Sequence, residues 1–170
     1  MFRLALESTT PLSSIKTGAC KVKKYDIELD DGRSVIADIC EVFADSKKIR
    51  FVVSGFGRTT WPVDCRFDLP IIIEQLPEIR KKNGNDDFNF SLDFYEQGIE
   101  REIIFVKDND NVILKCISRS SYIPEPNEIV MKKEDVRKII NKLHDDFMLF
   151  SSSICNDFAM NNLLIEWMNI

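Results

Sequence analysis

Histidine is almost missing from this chain: His144 is the only one among 170 residues. That scarcity excludes an H-E-x-x-H metalloprotease helix and any multi-histidine zinc centre, both of which need at least two. Cysteine is scarce and unpaired in pattern. Cys20, Cys40, Cys65, Cys116 and Cys155 are an odd number spread far apart, which fits neither a disulfide framework nor a zinc site. They read as reduced thiols of a cytoplasmic protein, three of them packed among strand residues. No stretch approaches the roughly 20 apolar residues of a membrane helix. The run Phe2 to Leu6 contains Arg3 and meets Glu7, too short and too charged for a signal-peptide core. Thr17-Gly18-Ala19-Cys20 has the look of a lipoprotein cleavage site but lacks the apolar region that should precede it. Basic excess is missing as well: 23 basic residues against 28 acidic ones give a net charge of −5. A sequence-independent grip on phosphate backbones starts from a Lys/Arg-rich face, so direct nucleic-acid binding is disfavoured. There is no G-x-S-x-G, no P-loop and no dinucleotide fingerprint. Gly55-Phe56-Gly57 reads as a loop between strands, because no helix start follows it.

What remains is an ordinary globular composition, 44% hydrophobic and 30% charged, without repeats or low-complexity runs. A chain of this length fits one domain over residues 1–170 and buries about two thirds of its unfolded surface. Period-two character over Val22 to Leu29, Val35 to Phe43 and Ile49 to Val53, punctuated by Asp30-Asp31-Gly32 and Ala44-Asp45-Ser46-Lys47, predicts an antiparallel meander. Trp61 to Phe67 alternates too, with Pro62 marking an edge. Asp68 is placed to cap a short helix through Leu69 to Ile79, which Pro77 should kink or end. After Asn83-Gly84-Asn85 come three more predicted strands, about Phe88 to Tyr95, Ile99 to Lys107 and Val112 to Arg119. Val136, Ile140, Leu143, Phe147 and Phe150 then step by 4, 3, 4 and 3, the stripe of an amphipathic helix from Lys133 to Ser151. Asp157 is placed to cap a last helix through Met160, Leu164 and Trp167. Segregated strands and helices predict an α+β fold: an antiparallel meander of about seven strands, one short inserted helix, and one or two C-terminal helices packed on the sheet.

The charge is concentrated. Residues 86–110 hold eight carboxylates and only two bases, a local net of −6, which leaves about +1 for the rest of the chain. Within this hairpin Phe88, Phe90, Leu92 and Phe94 share one face, continued by Ile99, Ile103 and Phe105. A two-residue loop at Gln97-Gly98 sets Asp93 opposite Glu102 and Tyr95 opposite Glu100, with Glu96 at the turn. Three readings are open for these carboxylates: a divalent-metal site, a landing patch for a basic partner, or a solvated face. Metal catalysis would normally add a histidine or an open coordination position, and the pattern supplies neither. His144, one position off the apolar stripe between Leu143 and Asp145-Asp146, reads as a boundary residue.

This layout, with the helix at Leu69 to Ile79, Phe94-Tyr95-Glu96-Gln97-Gly98 at a hairpin and a closing helix led by Lys133-Glu134-Asp135-Val136, resembles the immunity proteins of bacterial polymorphic toxin and contact-dependent growth-inhibition systems. The resemblance implies a small cytoplasmic protein without catalytic activity or cofactor. It would bind one basic toxin domain, commonly a nuclease, and cover its active site or substrate path, being a monomer or weak dimer when free. Asp93, Tyr95, Glu96, Glu100 and Glu102 are the expected contacts. An acidic secretion chaperone for an effector and a Mg²⁺-dependent hydrolase using the carboxylates are the rival expectations.

Overall fold

The computed structural model describes residues 1–15 and 23–169. The fold is α+β, with five α-helices and two antiparallel sheets of two and four strands among the described residues. The expected single meander of about seven strands is therefore corrected, and the reasons lie in particular segments.

The first sheet pairs β1 (Arg3–Ser8) with β2 (Ile49–Ser54) in the register Leu4↔Val53 and Leu6↔Phe51. β2 forms where expected, but its partner is the N-terminal apolar run, in which Leu4 and Leu6 alternate inward and Arg3 outward. Between them, Val35 to Phe43 is helix and not strand. Helix α1 (Gly32–Ser46) starts at Asp31, whose side chain accepts the Arg33 N–H at 2.8 Å, and stops at Lys47 in the left-handed region. Its buried residues Val35, Ile36, Ile39, Cys40 and Phe43 recur at helical spacing, so Asp30-Asp31-Gly32 is a helix start and not a hairpin turn. Of the strand expected at Val22 to Leu29, Val22 lies outside the described residues, and 23–29 form irregular and turn structure. Thr17 to Cys20 also lie outside them.

Trp61 to Phe67 is not a strand either. The Asp64 carboxylate accepts the N–H groups of Arg66 and Phe67, both at 2.7 Å, so the chain turns there, and Phe67 is exposed while Trp61 and Cys65 are buried. Helix α2 (Asp68–Gly84) continues past the buried Pro77, which does not end it, and is longer than expected. Asp68 does not cap it: the residue sits inside the first turn, and its carboxylate accepts the Asp64 N–H at 2.8 Å.

The second sheet runs β3 (Phe90–Phe94), β4 (Arg101–Asp108), β5 (Asn111–Ser118) and β6 (Glu128–Lys132) in that spatial order. Asp93 opposes Glu102 as expected, although the connection is longer than two residues: the ladder ends at Phe94↔Arg101, and the N–H groups of Ile99 and Glu100 return to the Glu96 carbonyl. β6, hidden behind Pro124 and Pro126, has no counterpart in the expected pattern. Inward residues Leu92, Phe94, Ile103, Phe105, Val112 and Leu114 share one buried core with the predicted stripe of α3 (Lys133–Ile154), whose Val136, Ile140, Leu143, Phe147 and Phe150 are all buried; α3 packs on β1, β5 and β6, and α2 covers β3. The closing segment is two helices, α4 (Asn156–Ala159) and α5 (Asn162–Met168), and Asn161, not Asp157, supplies the side-chain cap of α5. α5 rests against α1 at Gly32, where a Cβ would lie 2.2 Å from Trp167 Cβ. No helix among the described residues is long and apolar enough to cross a membrane.

Candidate partner-binding face

Strand parity sends one side of the four-stranded sheet into the core and leaves the other without a covering element among the described residues. Across that outer face the register lines up Asp93, Glu102 and Ile117 in one row, and Ser91, Ile104, Lys115 and Glu128 in the next. Val106, Ile113 and Val130 form a third. Ile117 and Val130 are openly exposed, at 46% and 62%, and Ile104, Val106 and Ile113 are half-buried. The face thus runs from an acidic end, through a mixed row in which Lys115 pairs with Glu128 at 2.9 Å, to an apolar row.

At the acidic end two of the five expected contact residues, Asp93 and Glu102, meet one guanidinium, and a third, Glu100, adds its charge nearby. Arg119, which follows β5, forms an ion pair with Asp93 and sits 4.0 Å from Glu102, and its backbone N–H donates to the Glu100 carbonyl at 2.8 Å. The side chains of Asp93 and Glu102 are about one-third exposed, so water weakens these pairs. Tyr95 and Glu96 turn elsewhere. The Tyr95 hydroxyl donates to Glu74 of α2 at 2.6 Å, and burial together with that carboxylate pushes its pKa up to about 12. Glu96 instead adds its charge to the surroundings of the buried Asp68. The five residues therefore do not form one uniform patch: two share a counter-ion with a third beside them, and two flank the edge of β3.

That edge is closed by a side chain. The Gln75 amide accepts the Asp93 N–H and donates to the Asp93 carbonyl, both at 2.9 Å, as a neighbouring strand's peptide group would. Below it lies a cleft of about 350 Å³ between α2, α5 and β3, with Arg33, Lys82, Glu78, Phe90 and Trp167 in its walls. Arg33 lies 5.4 Å over the Trp167 ring, and the Trp167 indole N–H donates to the Glu74 carbonyl.

Elsewhere one of the hairpin's charges, that of Asp86, is already answered. Asp86 is bonded by Lys107 at 2.7 Å and Lys133 at 3.0 Å, with Arg137 at 3.5 Å, and the two lysines hold its pKa down to about 2. Sequence counting missed these partners because Lys133, Arg137 and Arg119 come from outside residues 86–110. The outer apolar row did carry a signal: Ile104 and Val106 share parity with Glu102.

Among the described residues, no group of three or more His, Cys, Asp or Glu side chains is disposed to hold a metal ion. His144 is half-buried with Nδ1 2.9 Å from Asp145, and burial lowers its pKa. Burial pushes the Cys65 and Cys116 thiols up to about 11, away from the thiolate a nucleophile requires. In comparisons with known proteins, the chain matches no family model, no curated protein and no solved structure.

Proposed function

We propose that this protein is a stoichiometric binding inhibitor of the immunity-protein kind, whose outer sheet face docks a basic toxin domain such as a nuclease. The observation that carries the reading is the uncovered face itself, with Ile104, Val106, Ile113, Ile117 and Val130 beside Asp93, Glu100 and Glu102. Protein interfaces combine an apolar centre that excludes water with a charged rim that sets register and association rate. Asp93 and Glu102, with the charge of Glu100 nearby, outnumber the one Arg119 and leave an acidic excess, which attracts the Lys/Arg-rich groove a nuclease needs for its phosphate substrate. The reading carries with it a cytoplasmic location, no catalysis and no cofactor.

The test begins with the gene immediately upstream, which the reading expects to encode a secreted protein, and uses that protein's C-terminal domain. Co-expression of the wild-type chain should restore growth and yield a 1:1 complex. The Glu100→Lys/Glu102→Lys double variant, with its fold verified by circular dichroism, should bind at least about tenfold more weakly and with a smaller salt dependence. Absence of protection by the wild type, or unchanged affinity in the folded double variant, refutes the reading.

A further inference from the structure

Between the two carboxylates of the binding face stands Arg101, and its side chain goes the other way. It follows the parity of Ile103 and Phe105 into the protein and is 4% exposed. Its guanidinium lies 4.5 Å from the Trp61 ring centre and 3.8 Å from that of Tyr122. Its Nε and Nη1 atoms are sealed from water and bond to nothing. Among the described residues no carboxylate reaches salt-bridge distance of it. A second guanidinium, Arg58, lies 5.0 Å over the same Tyr122 ring and is exposed, likewise without an acidic partner among the described residues.

Aromatic rings attract the faces of a guanidinium. They leave its N–H groups, which point outward in the plane, without the oxygen lone pairs those groups seek. Two positive charges therefore lie beside one tyrosine, and the buried edge of Arg101 has no acceptor among the described residues. Burial pushes the Arg101 guanidinium below its ordinary range, and the Arg58 charge acts in the same direction. The frame around the pair is held in place. The Tyr122 hydroxyl donates to the Phe56 carbonyl, and Gly57, at φ 83°, brings its loop so near the Glu125 backbone that a Cβ would lie 2.2 Å from the Glu125 oxygen. The Gly55↔Arg58 bridge closes the same loop.

We propose that Arg101 and Arg58 form a binding site for a phosphate-class oxyanion, entered from the exposed Arg58 side. A tetrahedral dianion matches the two uncompensated charges and carries the acceptor oxygens that a guanidinium edge seeks. The site is built from the inward face of β4 and is independent of the toxin-binding reading, since its variants leave Glu100 and Glu102 in place.

The chain has two tryptophans, so Trp167→Phe leaves Trp61, stacked on Arg101, as the sole fluorescent reporter. Inorganic phosphate titrated at ionic strength matched with sodium chloride should give a saturable change in Trp61 emission and a rise in Tm. Arg58→Gln should weaken that response about tenfold or more, and Arg101→Met should abolish it. If Arg101→Met fails to fold, the exposed Arg58→Gln decides. No saturable response beyond that of chloride, or an equal response in Arg58→Gln, overturns the proposal.

Discussion

Asp68 is the residue whose ionisation should most visibly set the stability of this protein. It begins α2 with its side chain 5% exposed, one oxygen bonded to the Asp64 N–H and the other without a partner. Burial pushes its pKa from 3.8 up to about 6, against the Asp64 hydrogen bond and with the charges of Asp64 and Glu96 adding to the rise. In the unfolded chain the group ionises near the ordinary value. Between those two pKa values the native state therefore holds a proton that the unfolded state has released, and stability falls as pH rises through the window. A shift of about two units corresponds to roughly 3 kcal/mol, lost almost entirely by pH 8. Asp68→Asn keeps an oxygen to accept the Asp64 N–H and cannot ionise. Urea denaturation from pH 4 to pH 8 should show the stability difference moving in favour of the variant by about 2–3 kcal/mol, centred near pH 5, midway between the two pKa values, and level above about pH 7. Parallel curves for the two proteins would refute the argument, because other titrating groups are common to both.

Gln75→Ala removes both hydrogen bonds to the Asp93 backbone; the expected loss is about 1–2 kcal/mol in urea denaturation, and the newly bare edge of β3 should raise self-association measured by light scattering. Phe147→Ala empties a fully buried position 5.9 Å from the Phe43 ring and should cost about 3–5 kcal/mol, read as a lowered denaturation midpoint with an unchanged slope.

The acidic stretch shows how far a charge count reaches. Its net of −6 is a property of residues 86–110 as a string, and folding brings Arg119, Lys133 and Arg137 to it from later in the chain. Coulomb interaction depends on distance in space, and sequence separation stops predicting that distance once the chain turns back. Strand parity served better, because the alternation of side chains is a local property of the pleat. It correctly faced Phe90, Leu92, Phe94, Ile103 and Phe105 inward and paired Asp93 with Glu102. The same parity sends Arg101 inward, but its lack of a counter-charge emerges only when Trp61 and Tyr122 arrive from two other loops.

The sequence by itself determined the α+β class, the long amphipathic helix α3, the β3–β4 register and the helix after Asp68. Each follows from spacing within one segment, or across one hairpin. Tertiary structure decided the rest. Val35 to Phe43 has apolar residues compatible with both periods, and the Asp31 cap together with burial against α2 and α5 selects the helix. β1 and β2 find each other across more than 40 residues, where loop closure must be offset by burial of Leu4, Leu6, Phe51 and Val53 in a common core. The pairing of Asp93 and Glu102 with Arg119 and the unpaired Arg101 behind it are likewise products of packing. Neighbouring residues of one strand, Arg101 and Glu102, were sent to opposite faces by the pleat and then given their surroundings by residues far away in the chain.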